Sequence, residues 1–546
     1  MAKLGSRSGS QILRTFLPAQ TVDLHGDIYR VNEWTAPSPI EIDSDVVRWS
    51  LLTEIGAWTA NDTDGGMAGE LLRKVPVEVV ELDERRGVTV EKYPRTWLCR
   101  CCKRIGRSAE AHCRCGHRNW GQLHFVGVHE CGAITEPWIR RCPQHDDVRV
   151  VVPRSAKAAD IRFVCPVCAT PTMRGLGFHK KCGCGNGTVR WNVHKARMVY
   201  VPRGVVLINP ARPEHGGNLS LAGGPRKALI WVVEGLPVGT PAEATGQLAR
   251  AGDHPVDRLS PTRRAVAERE AVDIAMALAE SRTPTTALRL PDPDDPLEKR
   301  YREKYPPALR RAGIDGLDLI DRFPILNAMY GYTRGADDPS KCRLMPFRRR
   351  RGGYRLYGNL AETEAFLIRL DPIRVGMWLA SRGHRLPGWT PNCTDPVMAR
   401  VAILDSASIP TKRDDPRVES IGADVLRLIH TYAHRLIRQT AVFSGIERDA
   451  LSEYLVPHHL GFFLYPAARS DFVLGGIQAV FESNLDDLLT AFVTAEHRCP
   501  LDPGCGIGSG ACAACMHLGE PSCRFLNLFL DRGVLFGRNG YLRRST

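Results

Sequence analysis

The chain has 546 residues, 43% of them hydrophobic and 25% charged, a balance that excludes wholesale disorder and a length that excludes a single core. Lysine and arginine exceed aspartate and glutamate by 74 − 60 = +14, with an isoelectric point near 9.1, which favours an acidic partner such as nucleic acid. No apolar run approaches the roughly 18 residues of a membrane span and the first residues lack the apolar stretch of a signal peptide, so the expected location is the cytoplasm, with no membrane partner.

In that reducing compartment the 18 cysteines read as metal ligands rather than disulfides. They cluster between Cys99 and Cys184 and between Cys499 and Cys523, and Cys342 and Cys393 stand apart as ordinary thiols.

In chain order, residues 1–95 form an N-terminal β-rich region. Its stretch VPVEVVELDERRGVTVEKYPR alternates apolar and polar residues about a turn at 83–87, which predicts a β-hairpin.

Residues 96–200 form a tandem zinc-ribbon domain. Cys99-x-x-Cys102 precedes Cys113-x-Cys115-Gly, and the pattern repeats as Cys165-x-x-Cys168 before Cys182-x-Cys184-Gly. Two short turns can bring four thiolates to the corners of a tetrahedron, so each echo predicts one structural zinc. Such modules have little core, and metal supplies about 10–16 kcal/mol of folding free energy in model fingers. Cys101 is an odd thiol able to replace a neighbour. Between the echoes lie His129, Cys131, Cys142 and His145. They suit a third zinc, or equally a set of buried thiols and solvated histidines.

Residues 201–310 read as a mixed segment. RGVVLINP and ALIWVVE are short apolar strand candidates separated by the loop at 211–226, Ser260 and Pro261 start a helix, and a proline-rich charged linker with one short exposed helix follows. A domain boundary is expected near 285–310. Residues 311–415 form a basic α/β segment in which Arg348, Arg349, Arg350 and Arg351 lie beside Tyr354 and Tyr357. Arginines with aromatics can pair phosphates and stack bases, while an ordinary solvated hairpin loop has the same composition.

Residues 416–546 begin with Val418, Ile421, Val425, Leu428, Tyr432 and Leu436 at helical spacing, with Arg427, His430, His434 and Arg438 on a polar face. His430-x-x-x-His434 has the spacing of a helical zinc pair, but Thr431 replaces the glutamate a metalloprotease uses as base. Polar packing is the favoured reading of this pair, beside metal binding and nucleic-acid contact. GFFLYP predicts a buried strand. Gly475 and Gly476 open a helix whose amides can hold an anion, or simply allow tight packing. The last cysteines give a tetrahedron of Cys505, Cys512, Cys515 and Cys523, with Cys499 in reserve.

Taken in order, HTYAHRLIRQTAVFSGIERDALSE, GFFLYPAARSDFVLGGIQAVFE and CPLDPGCGIGSGACAACMHLGEPSCRFLNLFLDRGVL resemble the zinc-binding C-terminal domain associated with MrfA-type superfamily-2 helicases over residues 416–540. TWLCRCCKRIG, HFVGVHECGAITEPW and FPILNAMYGYTR resemble the DrmB family of DISARM anti-phage systems. The first 60 residues and the linker near 285–310 are covered poorly.

The resemblance implies a non-catalytic subunit partnering a separate helicase, DrmA-like, on DNA. In agreement, the sequence carries no G-x-x-x-x-G-K-[ST] loop and no DExx box. The expected protein is thus an α+β multidomain chain with a β-rich N-terminal half bearing zinc ribbons and a mixed α/β C-terminal half ending in a four-cysteine zinc-binding domain. It holds two to four zinc ions and is not an enzyme. The alternatives are a protein-interaction scaffold without DNA contact, or a metal-dependent nuclease using His430, His434 and the turn at 471–476.

Overall fold

The computed structural model describes residues 12–543 apart from 14, 43, 83–85, 107, 109–111, 153–159, 177–179, 209–222, 238, 240–253, 279–280, 413, 467–474, 495–497, 509, 519–521 and 524. The expected turn at 83–87, the loop at 211–226 and the turn at 471–476 therefore fall wholly or partly outside the described residues. The N-terminal half is β-rich and the C-terminal half mixed α/β. The chain divides into two compact units, one of residues up to 207 with 326–360, the other of 208–325 with 361–546.

The first unit carries a three-stranded antiparallel sheet of Thr21–Leu24, Asp27–Trp34 and Val88–Lys92. Alternation correctly marks two strands near residue 83, Val77–Glu81 and Val88–Lys92, but they do not pair as the expected hairpin. Val88–Lys92 joins Asp27–Trp34, whereas Val77–Glu81 runs parallel to the start of the strand Tyr354–Leu370, with Val77 opposite Tyr354 and Val80 opposite Tyr357. Periodicity reports which face of a strand is apolar, not which neighbour accepts its hydrogen bonds.

Helices Ser44–Glu54 and Met67–Leu72 pack Val47, Leu51, Met67 and Leu71 with Tyr330, Tyr354 and Leu356 in one core of this unit. Arg334 is fully buried in the same unit. It donates to the carbonyls of Val199 and Ala19 at 2.6 Å each, and its guanidinium lies 4.8 Å from the Tyr332 ring centre. A buried charge held this way is satisfied by fixed dipoles and an aromatic face.

Residues 97–193 hold three small sheets of three strands each. One is Ile105–Gly106, Trp97–Cys99 and Trp120–Gln122. The second is Ile134–Thr135, Phe125–Val128 and Arg190–Val193, and the third Arg149–Val151, Arg162–Val164 and Pro171–Arg174.

In the second unit the long helix Ile421–Ser444 is central. Its Ser420 side chain caps the start by accepting from the Ala423 amide at 3.1 Å. Val425, Leu428, Tyr432, Leu436 and Ile437 pack with Phe366, Phe462, Phe481 and Phe492 in one large core. GFFLYP forms the buried strand Gly461–Pro466, antiparallel to both Leu451–Val456 and residues 366–369.

Two expectations for this unit fail. ALIWVVE lies in the helix Pro225–Val233 and its following residue, not in a strand. Ala228, Leu229, Ile230, Trp231, Val232 and Val233 are all buried, so a helix apolar on every side has no alternation to betray it. The proline-rich stretch near 285–310, expected as a linker with one short exposed helix, is instead packed into the fold. It carries helices Pro296–Glu303 and Tyr305–Ala312, each with proline in its first turn, and Tyr301 and Tyr305 are buried in the large core.

Candidate metal centres

Among the described residues, four cysteine-rich groups each have ligand atoms that lie within 4.8 Å of one another, and each could hold a metal ion. Zinc–sulfur bonds of about 2.3 Å in a tetrahedron place sulfurs about 3.8 Å apart, whereas a disulfide needs about 2.05 Å. The observed separations match the first case.

The first group is Cys99, Cys102, Cys113 and Cys115, as the sequence predicts, with Cys99 and Cys115 sulfurs 3.7 Å apart and Cys102 and Cys113 3.4 Å apart. Cys101 is exposed and stands outside it. Hydrogen bonds from the His117 amide and ring pull the Cys115 thiol down to about 6, favouring the thiolate a metal requires.

The next two groups correct the expected pairing. Cys165 and Cys168 do not join Cys182 and Cys184. They join Cys142 and His145, with His145 Nδ1 lying 3.6 Å from both Cys142 and Cys165 Sγ. Cys182 and Cys184 join His129 and Cys131, with 3.6 Å between the sulfurs of Cys131 and Cys182. The sheets explain this. Cys165 and Cys168 occupy the turn between Arg162–Val164 and Pro171–Arg174, and Cys142 and His145 lead into their partner strand Arg149–Val151. His129 and Cys131 occupy the turn between Phe125–Val128 and Ile134–Thr135, and Cys182 and Cys184 lead into Arg190–Val193 on the same sheet. One ribbon is therefore inserted within the loop of another, so His129 is a candidate ligand and the looser His/Cys set is divided between two centres, His129 and Cys131 in the outer one and Cys142 and His145 in the inserted one.

Asp147, nearly buried, receives Arg104 at 3.0 Å and Arg114 at 3.3 Å. Both arginines belong to the first ribbon, so this carboxylate ties it to the inserted one.

The fourth group is Cys499, Cys505, Cys512 and Cys515, with sulfur separations of 3.5–3.7 Å. Cys499 thus takes the corner expected of Cys523. The amides of Leu501 and Cys512 donate to Cys499 and Cys515 sulfurs at 3.4 and 3.3 Å, the backbone turn of a metal knuckle. Cys523 lies instead against His430 and His434, together with Glu453 on the strand Leu451–Val456. Glu453 carries no spacing signal, and only its place among the inward residues Leu451 and Ser452 hinted at burial.

The remaining nucleic-acid candidates divide by exposure. His430, His434 and Tyr354 are fully buried and cannot meet a nucleic acid in this fold, which corrects that assignment. Arg427 bonds Asp424 at 2.5 Å and the carbonyls of Pro416 and Val418. Arg438 donates to the Ala514 carbonyl beside the fourth centre at 2.9 Å. Arg348 pairs with Glu70 at 3.0 Å, Arg349 with Glu78 at 3.3 Å and Arg350 with Glu33 at 2.7 Å. Arg351 is exposed. Much of that positive run is answered by nearby carboxylates, which weakens its field at a phosphate.

The expected anion site at Gly475 and Gly476 is filled from within. Glu364, nearly buried, accepts from the amides of Gly475, Ile477 and Gln478 at 2.9–3.1 Å. A side-chain carboxylate already completes the helix start of Gly476–Ser483.

A family model described as a domain of unknown function, DUF8724, matches residues 8–201, the stretch holding the first three centres. Over 123 residues the chain is 32% identical to the DISARM protein DrmB of Bacillus paralicheniformis, a match covering 20% of this chain and 22% of that relative. The likeness supports a DISARM-related protein. The match thus spans less than a quarter of that curated relative's length. Among the described residues no helix is long and apolar enough to cross a membrane.

Proposed function

We propose that the protein is a non-catalytic, zinc-stapled accessory subunit of a DISARM-type anti-phage system, which partners a DrmA-like superfamily-2 helicase and contacts DNA. The observation that carries this reading is the similarity to DrmB. Supporting it, the four cysteine-rich groups each offer a complete set of four protein ligands, the chemistry of structural zinc with no open position for substrate. The net charge of +14 suits a polyanion, and the C-terminal segments resemble the MrfA-type helicase-associated domain.

Co-expression of the full chain with a DISARM helicase subunit tests the partnership: the two should co-purify. Binding of the complex to duplex and single-stranded DNA should weaken steeply as salt rises from 50 to 200 mM, as phosphate contacts require. A chain that neither retains the helicase nor binds DNA overturns the proposal.

A second reading, a docking scaffold without DNA contact, is favoured by one observation: Arg348, Arg349 and Arg350 are answered by Glu70, Glu78 and Glu33. Helicase retention with DNA affinity no greater than that of the helicase alone would select it.

A further inference from the structure

His430 and His434 stand four residues apart on the long helix, so both rings leave the same face. Their planes are nearly perpendicular, with ring centres 4.4 Å apart, and both Nε2 atoms converge on one oxygen of Glu453. His430 Nε2 lies 3.0 Å and His434 Nε2 3.3 Å from Glu453 Oε1. Cys523 Sγ completes the group, 3.3 Å from His430 Nε2. All four ligand atoms fall within 4.8 Å of one another. The two histidines and the glutamate have no exposure, and Cys523 has 3%.

Proton counting makes this cluster hard to satisfy by hydrogen bonds alone. His434 Nδ1 lies 2.9 Å from the Met516 carbonyl, which only accepts, so Nδ1 carries the proton. A neutral imidazole then presents a lone pair at Nε2, and that lone pair faces the Glu453 carboxylate, another acceptor. Protonating the ring would remove the clash but would place a cation and a carboxylate in a fully buried site, while Glu453 Oε2 still finds no hydrogen-bond partner among the described residues. A cation among the four atoms accepts the lone pairs of nitrogen, oxygen and sulfur together. The Met516 carbonyl then has the usual outer role of fixing the tautomer of a metal-bound histidine.

We propose that His430, His434, Glu453 and Cys523 hold a fifth metal ion, a tetrahedral structural zinc distinct from the four cysteine-rich centres. Zinc bonds of about 2.0–2.1 Å to nitrogen and oxygen and about 2.3 Å to sulfur give ligand separations of about 3.3–3.6 Å, against 3.0–3.3 Å for the His430–Glu453, His434–Glu453 and His430–Cys523 pairs and no more than 4.8 Å for the others. Two imidazoles, one carboxylate and one thiolate form a borderline set that zinc accepts and that soft copper(I) or hard magnesium does not favour. Full burial leaves no path for a substrate, so the ion is a staple joining the long helix, the strand Leu451–Val456 and the C-terminal segment. Position 431 is consistent with that role. The Thr431 hydroxyl accepts from the Asp531 amide at 3.1 Å, tying down the same C-terminal segment rather than activating a water.

This proposal is independent of the anti-phage reading and is tested on the full chain by metal counting. Inductively coupled plasma mass spectrometry should find five zinc ions per chain. His434→Ala and Cys523→Ala should each remove one, and the double variant should remove no more than either alone. Cys499→Ser should remove a different ion, so that Cys499→Ser with Cys523→Ala retains three. Should these variants fail to fold, anomalous diffraction from wild-type crystals at the zinc edge decides the matter, with a peak expected between the four ligand atoms. Four ions per chain, or zinc-edge peaks at the four cysteine-rich groups and none beside Glu453, overturns the proposal in favour of a buried imidazolium–glutamate pair.

Discussion

The sulfur of Cys131 lies 3.6 Å from that of Cys182, 51 residues further along the chain, although Cys142 is much nearer in sequence. Between them, Cys142, His145, Cys165 and Cys168 close on one another as a separate group. Nested pairing makes the outer ribbon depend on an inner one that folds as its own loop. Closing a long loop costs only slightly more than closing a short one, so the insertion is tolerated.

Nesting gives a pairing test. His129→Ala and Cys182→Ser should release the same zinc ion, so the double variant should lose one ion relative to wild type. Cys165→Ser combined with Cys182→Ser should lose two. Had the two sequence echoes been true ribbons, Cys165→Ser with Cys182→Ser would lose one. Zinc released to a colorimetric chelator from folded protein distinguishes these outcomes.

The types of ligand were legible in the sequence, but their partnership was not. C-x-x-C and C-x-C turns advertise metal through local spacing, and that spacing located Cys99, Cys102, Cys113 and Cys115 as one set. Which half-site meets which is decided by strand pairing, as at Arg190–Val193 against Phe125–Val128, and strand pairing leaves no local trace. The same blindness misjoined Val77–Glu81 and Val88–Lys92. Glu453 was invisible for a further reason: a single acid in an apolar strand carries no spacing, and its partners are 19 and more residues away. The long helix is legible from its period, and polar packing, the favoured reading of its histidine pair, agrees with the burial of His430 and His434, whereas the alternative of nucleic-acid contact for those two does not.

Glu364 gives the second prediction. Its carboxylate, on a residue only 4% exposed, accepts from three amides at the start of Gly476–Ser483, one of them on the buried Ile477. Glu364→Ala should cost about 3 kcal/mol in denaturant unfolding, by leaving those donors unsatisfied. Glu364→Gln, which keeps one acceptor oxygen, should cost less. Wild-type stability in both would show that the three bonds contribute nothing net.

A third concerns Gly422, near the start of the long helix. A Cβ there would lie 1.8 Å from the Ser408 carbonyl oxygen and 2.2 Å from its carbon. Both are backbone atoms, so no rotamer change can relieve the overlap and the segment at Ser408 must move. Gly422→Ala should therefore destabilise the protein by about 2 kcal/mol or more, despite alanine's better helix propensity of about 1 kcal/mol. Gly475→Ala is an instructive contrast. Nothing lies within 4 Å of its Cβ position, but its φ of +95° strains any L side chain, so its cost arises from backbone conformation alone.

The acid limb of stability should carry the mark of His459. This residue is 5% exposed, and its Nε2–H donates to the Ala267 carbonyl at 2.8 Å. Burial pushes its pKa down from 6.5 to about 4; neighbouring His458 and Arg400 act in the same direction, and Glu270 opposes them. A folded-state value below the unfolded one means the unfolded chain binds the extra proton first. The stabilisation is therefore complete above pH 6.5 and is lost as pH falls toward about 4. A shift of that size corresponds to about 3 kcal/mol across the window. His459→Gln keeps a donor near Ala267 but does not titrate. The stability difference between wild type and this variant, measured by urea unfolding at matched zinc, should shift toward the variant by about 3 kcal/mol between pH 7 and pH 4. Because the zinc ligands protonate equally in both proteins, their contribution cancels in the difference. A difference that stays constant with pH would show that His459 titrates normally in the folded chain.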